Sequence, residues 1–325
     1  MNSPEIIVVG SHAPGLFVRV RRIPLADETI WGWDYREPVD GGKGSNQAVA
    51  AARLGGRVSF VGCVGQDRFG DDGERWLQEA GIDTTYLKRT DADSTVGGFV
   101  MVDDKGQPAI VALLGASGHL NESDVDLALS GQLGAKVLLT QFEIRHEVAL
   151  YAARQGKASG LTTIVNPTPV PEEPTGGYEA ADYLTPNGPE ARQMLGMAPD
   201  QQTDPLQMAA ALREQSGAGC VIITLGDQGV AVAEASGGWT MPAPAVTAVD
   251  ATGAGDAFNG TLALGLARGL PLRQAVGNAI LVGAYSVTQQ GTIPIFPTVN
   301  KVSAFLAEVL DKEDTYTWFQ MGDTS

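Results

Sequence analysis

The chain has 325 residues and carries a formal net charge of −16 at pH 7. Its length and its hydrophobic content of 43% suffice for one large core, with or without a small satellite domain. This acidity argues against a nucleic-acid surface, because neutralising phosphates takes clustered Lys and Arg, although it leaves room for a local site that binds a phosphorylated small molecule. No apolar stretch approaches the roughly 20 residues of a membrane span and no secretion signal opens the chain, so we expect a soluble cytoplasmic protein without a membrane partner.

Short apolar runs alternate with helical patterns along most of the chain. Continuous apolar runs are typical of strands in a parallel sheet that helices cover on both faces. Six runs fit this description, at 5–10, 58–65, 135–141, 161–167, 182–187 and 220–226. Helical patterns lie at 44–56, 70–82, 146–158, 205–217 and 254–271. The alternation predicts an α/β fold with a doubly wound, mostly parallel sheet and helices on both faces.

Two segments interrupt the alternation and predict strands without helices. In residues 15–40 polar and apolar side chains alternate, and 95–116 predict a hairpin that turns at 103–106. We expect these segments to form a small β-sheet that covers the strand ends as a lid. The expected domains are a core of 1–14, 39–95 and 116–310, a lid of 15–38 and 96–115, and a polar C-terminal tail of 311–325.

The positions of the cysteines and histidines in the sequence do not indicate a metal site. Cys63 and Cys220 each lie in an apolar, strand-like stretch, and we expect buried free thiols rather than a disulfide or metal ligands. His12, His119 and His146 lack the spacing of metal ligands, so zinc is not expected.

The stretch VDATGAGDAFNG (249–260) carries the strongest chemical signal. Gly253, Ala254 and Gly255 permit close approach of the backbone and lead into a helix, whose free N–H groups and dipole form an anion site. Asp256 lies just inside that helix start, where an Asp can simply cap the helix or interact with its dipole. An anion site with a carboxylate beside it to accept a hydroxyl proton is also what phosphorylation of an alcohol requires.

A second glycine-rich stretch, DGGKGSNQAVAA (40–51), enters a predicted helix. The loop combines glycines without side chains and polar groups that face the same space, namely Gly41, Gly42, Gly44, Lys43, Ser45 and Asn46. An ordinary helix start capped by Ser45 or Asn46 would explain the same residues. The stretch is not a Walker loop, because no Gly-Lys-Ser/Thr follows four residues after a first Gly.

Together, DGGKGSNQAVAAARLG and DATGAGDAFNG resemble the two signatures of the ribokinase-like (PfkB) carbohydrate kinase family, and within it the ribokinases most of all. Their order and spacing agree with the family from about residue 5 to about residue 310, and the pair is highly specific. The resemblance implies an ATP-dependent sugar kinase, a phosphotransferase that moves the γ-phosphoryl group of MgATP to a primary hydroxyl of a sugar or polyol.

The resemblance also implies roles for the matched residues. Asp256 would be the catalytic base and a substrate contact, and Gly253, Ala254 and Gly255 would form the anion hole for the γ-phosphoryl group. Sugar binding is implied for Gly42, Lys43, Gly44, Asn46 and Glu143. Glu143 stands where ribokinases place a glutamate that contacts the substrate, although its position alone favours a solvated charge at a strand end.

Two further stretches match elements of the family's nucleotide site. TPNGPE (185–190) matches an Asn-x-x-Glu element associated with Mg²⁺ and phosphate, and Asn187 with Glu190 would also make a capping box, so both interpretations can hold. TLGDQG (224–229) resembles the family's nucleotide-binding turn, although a simple tight turn would explain its glycines. The implied nucleotide-binding residues are Asn187, Thr224, Leu225, Gly226, Gly229 and Gly255.

Members of the family often bind a monovalent cation beside the anion hole and often dimerise through their lid sheets. The implied cofactors are therefore ATP, Mg²⁺ and K⁺, and the implied assembly is a homodimer through the lid. Ile295 stands where ribokinases have a serine at the cation site, which weakens that match. The implied cation ligands, mainly through backbone carbonyls, are Asp250, Thr252, Ser286, Gln289 and Gly291.

The loop after the first strand departs from the family pattern. Ribokinases carry Asn-x-Asp there, and the Asp binds two sugar hydroxyls, whereas this chain has Ala13, Pro14 and Gly15. A hydrogen bond to a charged carboxylate is worth about 1.5–3 kcal/mol, so the loss of two should penalise ribose by roughly two orders of magnitude or more. We therefore expect the acceptor to be a sugar or polyol other than ribose.

Nearby residues allow two interpretations each. His12 is the nearest polar side chain that could replace the missing Asp, but the sequence slightly favours a residue packed at the sheet edge. Trp31 and Trp33 could offer an apolar face to the substrate, or they could pack the lid, which is the interpretation that we favour.

Three other functions fit the sequence less well. A nucleoside kinase remains open, although Lys43 favours a free sugar because it fills space near the sugar end. A non-catalytic sugar or nucleotide sensor on the same fold would not need Asp256 as a base. An oxidoreductase is disfavoured, because no G-x-G-x-x-G with a downstream acidic residue follows any predicted strand.

Overall fold

The computed structural model describes residues 3–37, 41–132, 134–172 and 176–309. The predicted C-terminal tail (311–325) and Asp40 of the second glycine-rich stretch lie outside the described residues. The strands are β1 (Ile6–Val9), β2 (Gly15–Val20), β3 (Gly32–Arg36), β4 (Val58–Gly65), β5 (Asp83–Thr90), β6 (Gly98–Val102), β7 (Pro108–Ala112), β8 (Val137–Gln141), β9 (Thr162–Asn166), β10 (Tyr183–Leu184), β11 (Cys220–Thr224), β12 (Val230–Glu234) and β13 (Gly237–Met241). The helices are α1 (Gly42–Arg53), α2 (Arg68–Glu79), α3 (Glu122–Gly131), α4 (His146–Ala158), α5 (Gly188–Met194), α6 (Pro205–Ser216), α7 (Ala254–Ala267), α8 (Leu272–Val287) and α9 (Val299–Val309).

Nine strands form the main sheet, in the order β13-β12-β11-β10-β9-β8-β1-β4-β5. Neighbouring strands are parallel from β5 to β11, while β12 pairs antiparallel with both of its neighbours. In the centre, Val8 of β1 lies opposite Phe60 of β4 and Leu139 of β8. The predicted α/β fold with a mostly parallel sheet is confirmed.

Helices cover both faces of this sheet, and the sheet separates the hydrophobic core into two layers. Side chains of β1 alternate between the layers, because successive residues of a strand point to opposite faces. Ile6 and Val8 pack with α1, α7 and α8, whereas Ile7 and Val9 pack with α3, α4 and α6. This double burial explains why the central strands appear in the sequence as continuous apolar runs.

A separate four-stranded sheet has the order β3-β2-β6-β7. The strands β2 and β6 pair in parallel, and each forms an antiparallel pair with its outer neighbour. The Gly106 amide closes the β6–β7 turn by donating to the Asp103 carbonyl at 3.0 Å. The predicted small β-sheet and its hairpin are confirmed, and we retain the domain boundaries given above as a proposal.

Some elements were missed or given wrong lengths by the sequence prediction. The edge strand β5 exposes alternate residues, so it lacks a continuous apolar run, and β12, β13, α3, α8 and α9 were likewise not predicted. The strand expected at 182–187 covers only Tyr183–Leu184, because Asn187 already caps α5. In the second glycine-rich stretch, the helix begins at Gly42 rather than at Gly44.

Both cysteines are buried free thiols, as predicted. Burial raises the pKa of Cys63 to about 11 and that of Cys220 to about 12, so both stay protonated and unreactive at neutral pH. Within the described part of the chain, we find no helix with the length and apolarity to cross a bilayer.

Candidate active site

The predicted site residues meet where the parallel strands of the main sheet end. The loop after β1, the start of α1, the end of β8 and the start of α7 converge at this carboxyl edge, the usual ligand site of open α/β sheets. Hydrogen bonds join these elements directly, since Asp256 of α7 contacts α1 and Glu143 after β8 contacts both α1 and the loop after β1.

The start of α7 offers unpaired amides to open space. Gly253 precedes the helix with a left-handed φ of 78°, and a Cβ there would lie 2.9 Å from Thr292 Cγ2, so only glycine fits without strain. Among the described residues, none accepts a hydrogen bond from the amides of Gly255 or Asp256. A Cβ added to Gly255 would meet nothing within 4 Å. The arrangement suits an anion that approaches the helix start.

The Asp256 carboxylate points at α1 and does not cap its own helix. Its Oδ2 accepts from Asn46 Nδ2 at 3.0 Å, and its Oδ1 accepts from Gln47 Nε2 at 3.0 Å. The residue is only 6% exposed. A buried carboxylate with two amide donors is held in a fixed orientation beside the open helix start, which is the geometry expected of a base next to an anion hole.

The glycines of the second stretch let α1 pack closely on the loop after β1. Gly42 has a left-handed φ of 72°, and a Cβ on Gly44 would lie 2.6 Å from the Ser11 amide nitrogen. The N-cap is Gly41, and amides at the helix start are bound by other side chains, since Lys43 N donates to Glu143 Oε2 at 2.7 Å and Gly41 N donates to Asn46 Oδ1 at 3.3 Å. Neither Ser45 nor Asn46 is the N-cap, so the helix does not have the ordinary capped start that the sequence also allowed.

The Glu143 side chain is partly buried and is hydrogen-bonded to the loop after β1 and to the start of α1, so it is not a solvated charge at a strand end. Its Oε2 accepts from Ser11 Oγ at 2.7 Å and from the Lys43 amide at 2.7 Å. Burial raises the pKa of this carboxyl above its usual value, although the Lys43 charge and the Ser11 hydrogen bond oppose the shift. Hydrogen bonds thus bring Glu143, Lys43, Asn46 and Asp256 together around the start of α1.

All six predicted nucleotide-binding residues line one cleft of about 940 Å³ that also reaches the start of α7. The Thr224 amide donates to the Pro186 carbonyl at 3.0 Å, which joins the end of β11 to the start of α5. Gly229 has a φ of 87°, and a Cβ there would lie 2.0 Å from the Met241 carbonyl oxygen. Arg192 also lines the cleft, although no sequence pattern indicated it.

The predicted capping box at the start of α5 is present. Asn187 Oδ1 accepts from the Glu190 amide at 2.9 Å, and Glu190 Oε2 accepts from the Asn187 amide at 2.8 Å. Thr168 Oγ1 donates to Glu190 Oε1 at 2.8 Å. Carboxylate oxygens beside a nucleotide cleft are suitable for Mg²⁺, often through water.

The predicted cation ligands lie together at the end of α8. Asp250 Oδ1 accepts from the Thr252 amide at 2.9 Å and Oδ2 from the Gly291 amide at 3.1 Å. Burial alone would raise the pKa of Asp250, but these hydrogen bonds outweigh it and hold the pKa below its usual value. The Gln289 amide donates to the Ser286 carbonyl at 3.1 Å. In the described ranges, no group of three or more His, Cys, Asp or Glu residues could hold a metal ion.

The loop that departs from the family pattern has a glycine in place of a carboxylate. Gly15 lies in β2, and a Cβ there would have only ordinary contacts, at 3.9 Å from the Gly98 carbonyl oxygen and from Val100 Cγ2. Trp31 is 94% exposed, so the prediction that it packs the lid is wrong for the described chain, and Trp33 is also exposed.

His12 does not reach the position of the missing carboxylate. It is 1% exposed, its Nδ1 lies 2.9 Å from Ser45 Oγ, and its ring contacts Trp76 edge-on. The prediction of a packed residue is confirmed, but the side chain packs between α1 and α2 at the end of the central strand β1 rather than at a sheet edge.

Burial lowers the pKa of His12 from 6.5 to about 4. The unfolded chain therefore takes up a proton near pH 6.5, whereas the folded protein does so only near pH 4. The stability that this neutral imidazole contributes is fully present above pH 6.5 and is lost as the pH falls to 4, by about 3 kcal/mol in all.

We expect urea unfolding to show this loss for the natural chain and a flatter decline for His12→Gln. The exposed imidazole of His119 provides the matched control, and His119→Gln should keep the pH dependence of the natural chain. Parallel pH profiles for the natural chain and His12→Gln would contradict the assignment.

A chain of buried amides behind the pocket was missed by the sequence reasoning. Gln141 Nε2 donates to Gln47 Oε1 at 2.6 Å, and Gln47 Nε2 donates to both Asp256 and, at 3.2 Å, Asn166 Oδ1. Asn166 Nδ2 donates in turn to Thr168 Oγ1 at 3.1 Å. Gln47 belongs to the glycine-rich stretch, but its sequence position inside a helix gave no indication of its partners.

Comparisons with known proteins identify the family of this chain. The family model "pfkB family carbohydrate kinase" matches residues 22–299. The chain is 31% identical to deoxyribokinase of Salmonella typhi over 304 residues, which cover 93% of this chain and 99% of that protein. It is 35% identical to ribokinase of Mus musculus over 297 residues, which cover 90% of this chain and 91% of that protein. The solved structure of Arabidopsis thaliana ribokinase complexed with ribose and ATP superposes with a TM-score of 0.83 at 26% identity, covering 94% of this chain and 99% of that one. The chain therefore belongs to the pfkB family of carbohydrate kinases and is an ATP-dependent sugar kinase.

Proposed function

We propose that this kinase phosphorylates a primary hydroxyl of a sugar or polyol other than ribose. The observation that carries the proposal is that the residues expected to transfer the phosphoryl group are all present, whereas one residue expected to bind the acceptor sugar is altered. Asp256 and the open amides of α7 are in place, whereas this chain has Gly15 where ribokinases have a carboxylate. The reaction is thus retained while the group that would bind two ribose hydroxyls is missing.

The residues take the following roles in the proposed reaction. Asp256 removes the proton from the acceptor hydroxyl as that oxygen attacks the γ-phosphorus in line, and the bond to the β-phosphate oxygen breaks to leave ADP. The amides at the start of α7, after Gly253, stabilise the charge on the transferring group. Glu143 and Asn46 orient the acceptor, and the lid sheet excludes water that would otherwise accept the phosphoryl group.

The nucleotide is proposed to lie in the cleft that ends at Gly255. Asn187 and Glu190 would hold Mg²⁺ through water, and the metal would supply positive charge to the phosphates. The Asp250 loop and the carbonyls near the end of α8 would hold K⁺, since both supply oxygen ligands close to the anion hole.

We also propose a homodimer that forms through the lids, in a cytoplasmic enzyme. The small sheet and the connection between β2 and β3 expose several large apolar side chains, which in a soluble protein indicate a contact surface. They are Leu25, Trp31, Trp33, Tyr35, Phe99 and Val111. Trp31→Glu is expected to shift the sedimentation coefficient from that of a dimer to that of a monomer, while Leu127→Glu, an exposed leucine on α3, should leave it unchanged. A natural chain that sediments as a monomer at micromolar concentration would contradict the dimer.

The experiment that tests the proposed activity is ADP formation from MgATP with a panel of pentoses, tetroses, polyols and nucleosides, with and without K⁺. At least one sugar or polyol should raise the rate well above the acceptor-free rate. A nucleoside as the best acceptor would favour a nucleoside kinase. A chain that binds ATP but accepts nothing would favour a non-catalytic sensor of sugar or nucleotide.

A further inference from the structure

Gln47 connects the Asp256 carboxylate to the interior of the protein. Its side chain lies on α1, is fully buried, and forms three hydrogen bonds. Its Nε2 donates to Asp256 Oδ1 at 3.0 Å and to Asn166 Oδ1 at 3.2 Å, and its Oε1 accepts from Gln141 Nε2 at 2.6 Å. Both amide hydrogens and the amide oxygen are therefore used.

The direction of each hydrogen bond in this chain is fixed. A carboxylate only accepts, so Gln47 must turn its Nε2 toward Asp256, and its Oε1 then faces Gln141. Asn166 Oδ1 accepts from Gln47, and its Nδ2 is left to donate to the Thr185 carbonyl at 2.8 Å. The buried amide cannot rotate without breaking three hydrogen bonds, which makes it a rigid support.

Asp256 has a second donor, Asn46, on its other oxygen, but the two donors differ in position. Asn46 follows the glycine loop that borders the acceptor pocket, and the family resemblance places it on the sugar. Gln47 lies on α1 and is fully buried, and its amide is held by Asp256 together with Gln141 of β8 and Asn166 of β9. It can therefore fix the plane of the carboxylate whether or not an acceptor is present.

We propose that Gln47 is a positioning residue that holds the Asp256 carboxylate in the plane needed to take the acceptor proton. The proposal rests on the proposed role of Asp256 as the base. A base that can rotate away from the acceptor hydroxyl is less often in reach of the proton, and misplacement of about an ångström is costly in catalysis. Removal of Gln47 should thus reduce turnover and spare the binding of both substrates.

The test uses Gln47→Met, which keeps the length of the side chain and removes all three hydrogen bonds. With the best acceptor of the panel, kcat should fall about 10- to 100-fold, the size of one lost hydrogen bond to a charged group, while KM for ATP and acceptor stay within about threefold. Gln141→Met, which removes only the support of Gln47, should give a smaller fall. Gln132→Met provides the control, because Gln132 is another buried amide that donates to a side chain, Ser59, remote from the site.

A double-mutant cycle separates positioning from general loss of structure. If Gln47 acts through the Asp256 carboxylate, Gln47→Met should have little further effect on single-turnover phosphoryl transfer in an Asp256→Asn background. An equal fall in both backgrounds, or an unchanged kcat, would overturn the positioning role and leave the proposed activity intact. If no compound of the panel is phosphorylated, the proposed activity fails, and the roles of Asp256 as base and of Gln47 as positioning residue fail with it.

Discussion

Asp256→Asn is expected to lower kcat by at least about 10²-fold while the affinity for ATP stays nearly unchanged. The Asn side chain has the same shape and stays buried between Asn46 and the start of α7, but its amide cannot take the proton from an acceptor hydroxyl. The open amides at the start of α7 are part of the backbone, so the anion hole and the nucleotide cleft should persist. Steady-state ADP formation and a separate titration with ATP would measure the two effects.

The matched control for this variant is Asp182→Asn. Asp182 is also a hydrogen-bonded carboxylate of the sheet, accepting from the Thr163 amide at 2.9 Å, but it lies near the start of β9, at the opposite end of the sheet from the site. It should change stability without changing kcat. An Asp256→Asn enzyme with the natural kcat would remove Asp256 from the reaction and with it the proposed mechanism.

Gly15→Asp is expected to raise kcat/KM for ribose by about tenfold or more. The variant restores a carboxylate at the place where ribokinases bind two ribose hydroxyls, and each such hydrogen bond is worth about 1.5–3 kcal/mol. The backbone can accept a Cβ at this position, since Gly15 lies in a strand and a Cβ there would have no contact closer than 3.9 Å. The gain is predicted below the full value because Ala13 still replaces the Asn of the family pattern.

The control is Gly15→Asn, which fills nearly the same volume without a negative charge. A neutral amide makes weaker hydrogen bonds to hydroxyls than a carboxylate, so the gain for ribose should be clearly smaller. Equal gains for the two variants would attribute the effect to filled space. No gain for Gly15→Asp would show that the missing carboxylate does not set acceptor choice.

The sequence was most informative where one residue type serves both the fold and the site. Continuous apolar runs identified β1, β4 and β8, because strands covered on both faces have no polar side. The glycines before α7 were equally clear, since a left-handed φ and a close contact at Gly253 admit little else. The resemblance of the two glycine-rich stretches to the family then supplied residue roles that spacing alone left open.

Other features depend on contacts that sequence patterns do not encode. The polar edge strand β5 was missed because only one of its edges is paired and none of its eight residues is fully buried. The partners of Gln47 lie 94 to 209 positions away along the chain, so no local pattern reveals them. The exposure of Trp31 was predicted wrongly, because a lid segment rich in aromatic residues has the same composition whether its side chains pack inward or face outward.

The most direct test of the central claim is the kcat/KM of the natural enzyme for ribose, set beside the value for its best acceptor in the same assay with MgATP and K⁺. The missing carboxylate at Gly15 predicts a value for ribose at least about two orders of magnitude lower than that of the best sugar or polyol. A kcat/KM for ribose comparable to, or above, those of all other acceptors would contradict the claim.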